Sequence, residues 1–305
     1  MNNYMLTVCL NPTWQNTIYL NKLREGQINR SGEHYLSVSG KGVNCSRVLV
    51  QLGHKTVHLT HAGGNTAKEY VRLCKKEKID IYAAKSPGSE IRHCHTLINS
   101  GKKTNTEIIE EAGPVALKTE DNIRKLYRKL LGGAKIIIIS GSKAAGYSPE
   151  LFPWMVKTAK SGKVPVILDY RGEDLLNSLP YGPDIIKPNF EELSSIFKLS
   201  AAINEKEIGE NLISIAEDYK TTPIISSGAG AVRYVCDGKA YGFIPEKIDA
   251  INAIGSGDAM AAGIAAAYLE GKNIHQIVAE GARCGTLNAQ TKLPGSICKG
   301  EHICA

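Results

Sequence analysis

Three short apolar runs place the tightest limit on how this chain can fold: Ile136 to Ser140, Val164 to Asp169 and Pro223 to Ser227. Each is rich in β-branched residues, ends in Ser or Asp, and is separated from the next by helix-length amphipathic sequence. A strand that is apolar at both alternating positions must be covered on both faces, as in a parallel sheet between helical layers. Candidate helices run from Val43 to Leu52, Thr66 to Lys78, Glu120 to Leu131, Pro149 to Lys160, Glu205 to Tyr219 and Asp258 to Glu270. The first and last stop at Gly53 and Gly271. Tyr4 to Leu10 reads as a first strand, because no basic segment precedes it as a secretory leader would require.

Two early regions depart from this pattern. Trp14 to Leu20 with Glu33 to Val38, and Ile91 to Ile98 with Thr104 to Ile109, alternate polar and apolar residues with period two, as half-exposed strands do. They predict a small sheet standing off the main domain as a lid, its strands within about 12–38 and 90–110 of a single unit spanning 1–305. Hydrophobic residues make up 43% and no apolar run approaches the roughly 18 residues of a membrane span, so the expectation is a soluble, cytoplasmic chain without a membrane partner. The eight cysteines, Cys304 among them, form no CxxC pair and read as free thiols. The net charge of +7 is spread along the chain, which suits small anionic ligands and implies no nucleic acid.

The most informative stretch is Gly255-Ser256-Gly257-Asp258, leading into Ala259-Met260-Ala261-Ala262-Gly263. The backbone N–H groups of 255–258 would lie at a helix N-terminus, where unpaired donors and the helix dipole favour an anion. An aspartate in the same turn can take the proton of an attacking hydroxyl while the amides steady a transferring phosphoryl group. The competing reading is that Asp258 merely caps the helix.

This segment resembles the C-terminal G-[AS]-G-D signature of the ribokinase-like, or PfkB, carbohydrate kinases, and further motifs follow the family's order from Leu10 to about Gly295. The resemblance implies a three-layer α/β/α domain with a mostly parallel central sheet and a small β-sheet lid. It also implies phosphoryl transfer from ATP with Mg, and Asp258 as catalytic base beside Gly255, Ser256 and Gly257. Ser39-Gly40-Lys41-Gly42-Val43-Asn44 resembles the N-terminal G-G-K-G-x-N signature, which assigns Gly40, Lys41 and Asn44 to a sugar-phosphate site. Arg92 matches the lid arginine that grips the acceptor's phosphate through its fork of donors.

Lys187-Pro188-Asn189-Phe190-Glu191-Glu192 is similar to the K-P-N-x-x-E box, in which Asn189 and Glu192 organise Mg and its waters and Lys187 faces nucleotide phosphates. Taken alone, Asn189 and Glu192 are an ordinary helix start. Ser226, Gly228 and Gly230 resemble the nucleotide loop, and taken alone they are a Gly-rich turn. Asn288, in Leu287-Asn288-Ala289-Gln290, is a further expected nucleotide-side residue.

Thr106-Glu107 with Gly113-Pro114, Ser140-Gly141-Ser142, Leu168-Asp169 and Asn252 resemble the subgroup acting on hexose phosphates, with 1-phosphofructokinase or tagatose-6-phosphate kinase activity expected. The family's lids often clasp into a homodimer. Two residues depart from the pattern: Gln15 stands where the subgroup has the aspartate that holds sugar hydroxyls, and Ser39 replaces a glycine. They motivate a competing reading, a sugar-phosphate sensor that keeps the fold without turnover.

Overall fold

In the computed structural model, residues 3–199 and 204–298 are described; Cys304 and residues 200–203 lie outside them. The strands are β1 (Tyr4–Val8), β2 (Thr13–Leu20), β3 (Glu33–Ser39), β4 (Thr56–Ala62), β5 (Asp80–Lys85), β6 (Arg92–Asn99), β7 (Thr104–Ile109), β8 (Ala134–Ser140), β9 (Val166–Asp169), β10 (Ile185–Ile186), β11 (Thr222–Ile225), β12 (Val232–Cys236) and β13 (Lys239–Phe243). The helices are α1 (Lys41–Gln51), α2 (Ala67–Lys76), α3 (Leu117–Leu131), α4 (Leu151–Ser161), α5 (Glu173–Ser178), α6 (Phe190–Phe197), α7 (Glu205–Tyr219), α8 (Ser256–Leu269) and α9 (Ile274–Ala289).

The central sheet has the order β13-β12-β11-β10-β9-β8-β1-β4-β5. Every pairing from β11 to β5 is parallel, and the β11-β12-β13 edge is antiparallel. The reason is visible in β8. Ile136, Ile137, Ile138 and Ile139 are all fully buried, and alternate residues join different cores. Ile137 and Ile139 pack with the layer containing α3, α4, α5 and α7, whereas Ile136 and Ile138 pack with α1, α8 and α9. Helix α8 is buried all round, as its Ala-rich sequence allows. It packs closely on α9, where a methyl at Gly281 would stand 2.6 Å from Ile264.

The second sheet has the order β3-β2-β6-β7, with β2 and β6 parallel and the outer pairs antiparallel. The expected half-exposed character holds unevenly: β2 is buried along most of its length, while β7 is exposed at every residue. The register puts Thr13, Gln15, Ser37, Ser39, Arg92 and Cys94 on one face of this sheet, and Asn16, Leu36, His95 and Ile108 on the other.

Among the described residues, no helix is long and apolar enough to cross a membrane. The thiols of Cys9, Cys45, Cys74, Cys94, Cys236, Cys284 and Cys298 are free. Because Ile138 is buried at the centre of the sheet, Ile138→Ala should cost about 2–5 kcal/mol of stability in urea unfolding, with the fold retained.

Candidate active site

Parallel strands end together, and here the ends of five neighbours carry polar groups. Asn11 follows β1, Ser140 and Asp169 terminate β8 and β9, Lys187 follows β10 and Ser226 follows β11. The N-termini of α1 and α8 face the same edge.

Asp169 is the anchor. Its side chain is 2% exposed, and Oδ1 receives Lys187 Nζ at 3.2 Å and Lys41 Nζ at 3.6 Å. Lys187 is itself 3% exposed, whereas the Lys41 side chain is 39% exposed and so reaches the opening. The charge of Asp169 is the main reason that the Lys41 ammonium is pushed up from its ordinary range, with Asp258 and Glu192 adding to it, so Lys41 stays protonated. A methyl placed on Gly257 would stand 3.5 Å from Lys187 Nζ, which puts that ammonium directly beside the Gly-rich turn.

In α8, Gly255 is the N-cap, with φ +83°, and it has no side chain to cap with. Asp258, three residues on, does not cap the helix through its carboxylate. Its Oδ2 instead accepts Asn44 Nδ2 at 2.7 Å from α1, and the residue is buried. The helix-cap reading is thereby set aside. Burial pushes the Asp258 carboxyl up to about 6, with Asp169 adding to the rise, while Lys41, Asn44 and Lys187 pull it down.

The turn is braced from behind by the segment after α9. A methyl at Gly255 would meet Gly295 N at 2.4 Å, and one at Gly295 would meet Asn44 Cβ at 2.3 Å. Asn288, expected on the nucleotide side, is fully buried and belongs to this brace. Its Nδ2 donates to Ile254 O at 2.9 Å and Ser256 Oγ at 3.0 Å, and its Oδ1 accepts Ser296 N at 3.0 Å. That buried amide is spent inside the protein, so it shapes the turn instead of lining a ligand site.

Asn189 and Glu192 form a capping box at the start of α6. Glu192 N donates to Asn189 Oδ1 at 2.8 Å and Asn189 N to Glu192 Oε2 at 3.0 Å. The ordinary helix-start reading therefore describes one oxygen of each side chain, and the second Glu192 oxygen lies outside the box. Phe190 N donates to Ser226 O at 2.9 Å, joining this box to the loop after β11. That loop turns between Ser227 and Gly230, whose backbones bond at 2.7 Å, with Gly228 at φ +55°.

On the small sheet, Gln15 is buried and its Nε2 donates to Thr96 Oγ1 at 2.8 Å. Arg92 is on the same face, with Nη1 3.9 Å from the exposed Glu111. Among the described residues, Arg92 Nε, Asn11 Oδ1, Ser140 Oγ and Asp169 Oδ2 are buried without partners. Asn16 Oδ1, His58 Nε2, Ser86 Oγ and Thr221 Oγ1 are likewise buried without partners, so it is the placing of Asn11, Ser140 and Asp169 at the ends of neighbouring strands that suits a polar ligand. No three His, Cys, Asp or Glu side chains gather as a metal centre among the described residues. The sparse oxygen donors instead suit Mg carried by nucleotide phosphates, since Mg keeps several waters.

Sequence reading left out Asp169, and also Arg47 of α1, whose Nη1 donates to Asn44 Oδ1 at 3.1 Å. Asp169 had a signal in its place at the end of a predicted strand. Arg47 had none, because a lone arginine in an amphipathic helix reads as surface.

A strand-end cleft with a buried carboxylate beside a helix N-terminus and two lysines is suited to holding an anionic ligand next to a proton acceptor. The model of the pfkB family carbohydrate kinases matches residues 11–299, and the chain belongs to that family. Among solved structures, it resembles phosphofructokinase-2 from Escherichia coli in complex with substrates and products, with TM-score 0.88 and 19% identity over 95% of each chain. The same E. coli protein in complex with fructose-6-phosphate matches with TM-score 0.86 and 19% identity over 94% of each chain. A Thermotoga maritima protein described as a possible 1-phosphofructokinase matches with TM-score 0.88 and 22% identity over 95% of this chain and 93% of that one.

Gly255→Ala should disturb the turn twice, through its positive φ and through contact with Gly295. The expected outcome is a loss of about 1–3 kcal/mol in thermal or urea unfolding and a larger proportional loss of turnover.

Proposed function

We propose that this sugar kinase transfers the γ-phosphate of ATP to a hydroxyl of a hexose phosphate, with fructose 1-phosphate as the acceptor and fructose 1,6-bisphosphate as the product. The observation that carries this reading is Asp258. It is a carboxylate held by Asn44 at the first turn of α8, raised to about 6 by burial, and flanked by Lys41 and Lys187. A base with that proton affinity is ionised at neutral pH yet basic enough to accept a hydroxyl proton as the bond to phosphorus forms.

Bound Mg-ATP supplies the phosphoryl group, and the metal offsets charge on the nucleotide's oxygens. In this reading Asp258 takes the acceptor's proton, and the backbone amides of 255–258 with Lys187 stabilise charge on the transferring group. Lys41 and Arg92 hold the acceptor's phosphate, and the unpartnered Arg92 Nε is a donor suited to that task. Gln15 and Gly40 line the sugar. The second oxygen of Glu192, with Asn189, would hold Mg through water, and Ser226, Gly228 and Gly230 line the nucleotide. The small sheet acts as a lid that excludes water and limits wasteful hydrolysis of ATP.

The test is an Mg-ATP coupled assay across fructose 1-phosphate, tagatose 6-phosphate, fructose 6-phosphate and unphosphorylated hexoses. Turnover is expected on fructose 1-phosphate, and Asp258→Asn should lower kcat by about a hundredfold to ten-thousandfold with much less effect on binding. Since the base works ionised, kcat/KM should fall as pH drops through about 6 and level off above it. An acid limb near the ordinary aspartate range would argue against Asp258 as the base. Turnover confined to tagatose 6-phosphate or fructose 6-phosphate would move the acceptor, and phosphosugar binding without turnover would favour the sensor.

The outer face of the lid carries Leu36 and Ile108, exposed by 58% and 55% on one cross-strand row. We propose that a second copy covers this face. Leu36→Glu with Ile108→Glu should convert a dimer to a monomer in sedimentation, while a native chain that sediments as a monomer would overturn the idea.

A further inference from the structure

Arg47 is an arginine buried to 1% in the second turn of α1, with every guanidinium donor engaged. Nε and Nη2 reach Glu77 at 2.6 and 3.2 Å, at the end of α2. Nη2 also donates to Val38 O at 2.7 Å, and Nη1 donates to Pro294 O at 2.7 Å and to Asn44 Oδ1 at 3.1 Å. Ser39 Oγ donates to the same Asn44 oxygen at 3.0 Å.

This geometry decides which way the Asn44 amide faces. A guanidinium has no acceptor, so the Asn44 atom turned toward Arg47 must be the oxygen. The amide nitrogen is then directed to Asp258 Oδ2, where it donates to the carboxylate. If the amide turned over, its oxygen would face a carboxylate oxygen, which disfavours the ionised form.

We propose that Arg47 is a positioning residue for phosphoryl transfer: by fixing the Asn44 amide, with Ser39 assisting, it sets both the aim and the proton affinity of the Asp258 carboxylate. The proposal rests on the reading of Asp258 as the base. The other groups around Asp258 are the Lys41 ammonium and Cys45 thiol of α1, the Cys9 thiol after β1, Asp169 of β9 and Lys187 after β10. Burial raises both thiols, so they are neutral; the lysines favour the carboxylate and Asp169 opposes it. Only Asn44 makes a direct hydrogen bond to the carboxylate among the described residues. Within the family signature a glycine stands at the position of Ser39, so this second hold on Asn44 comes from a residue that departs from the signature.

The test compares wild type, Ser39→Ala and the double variant Arg47→Met with Glu77→Met. The double variant keeps the net charge, and apolar replacement of a buried pair often preserves stability; Ser39→Ala, which removes no charge, separates release of the Asn44 amide from loss of the cation nearer Asp258. The double variant's acid limb in kcat/KM should move up by about one pH unit and its kcat should fall about tenfold, with KM for ATP little changed. Ser39→Ala should shift the limb the same way by a few tenths of a unit. A merely structural role would lower the melting temperature and leave the limb in place. An unmoved limb in the folded double variant, or in Ser39→Ala should the double variant fail to fold, overturns the proposal. Wild-type silence on every sugar phosphate would instead overturn the reading of Asp258 as base.

Discussion

A charge removed from water must find a partner, and in this protein that requirement organises the whole cleft. Asp169 lies at the end of a strand deep in the sheet, where an isolated carboxylate would be too costly to keep ionised. Lys41 and Lys187 share one of its oxygens, and in doing so two cations from distant parts of the chain are brought to one point. Lys187 follows the short strand β10, and Lys41 begins α1. Their meeting depends on β9 lying beside β10 and on α1 packing against the sheet.

The same logic recurs one layer further out. Arg47 is paired with Glu77 and bonded to two backbone carbonyls, so its charge is satisfied without water. The structure thus carries a chain of defined hydrogen bonds from the end of α2 through α1 to the first turn of α8. Each link uses a donor or acceptor that has few alternatives, which is why a long polar network can hold one arrangement. Asn288 performs a comparable service on the other side of the turn, through three hydrogen bonds from one amide.

Some of the fold was invisible to pattern reading for a physical reason. β4 reads Thr56-Val57-His58-Leu59-Thr60-His61-Ala62, with polar residues at 56, 58, 60 and 61, yet it is an interior strand. Each of its buried polar side chains finds at least one partner in the core: Thr60 donates to Cys9 O at 2.7 Å, His58 Nδ1 meets Thr7 at 2.7 Å and His61 meets Tyr147 at 2.9 Å, while Thr56 donates to His54 O at 3.1 Å. Burial holds both histidines below their ordinary range, down to about 3 and about 4, and so neutral. β10, at two residues, is too short to show any period, and α9 was hidden because its glycines serve contact with α8.

What the sequence by itself determined is the set of local instructions. Apolar β-branched runs demanded a sheet covered on both faces, the glycines at 255 and 257 allowed a sharp turn before an apolar helix, and the separated motifs marked the residues of one family's site. The tertiary structure decided which of those residues meet. Whether Asp258 caps a helix or faces Asn44, whether Asn288 lines a cleft or braces a turn, and whether Arg47 lies at the surface or holds the Asn44 amide depend on contacts between residues up to more than two hundred positions apart. Such contacts leave no local period or propensity to read, because the partner that satisfies a buried polar group is chosen by packing and not by its neighbours in the chain.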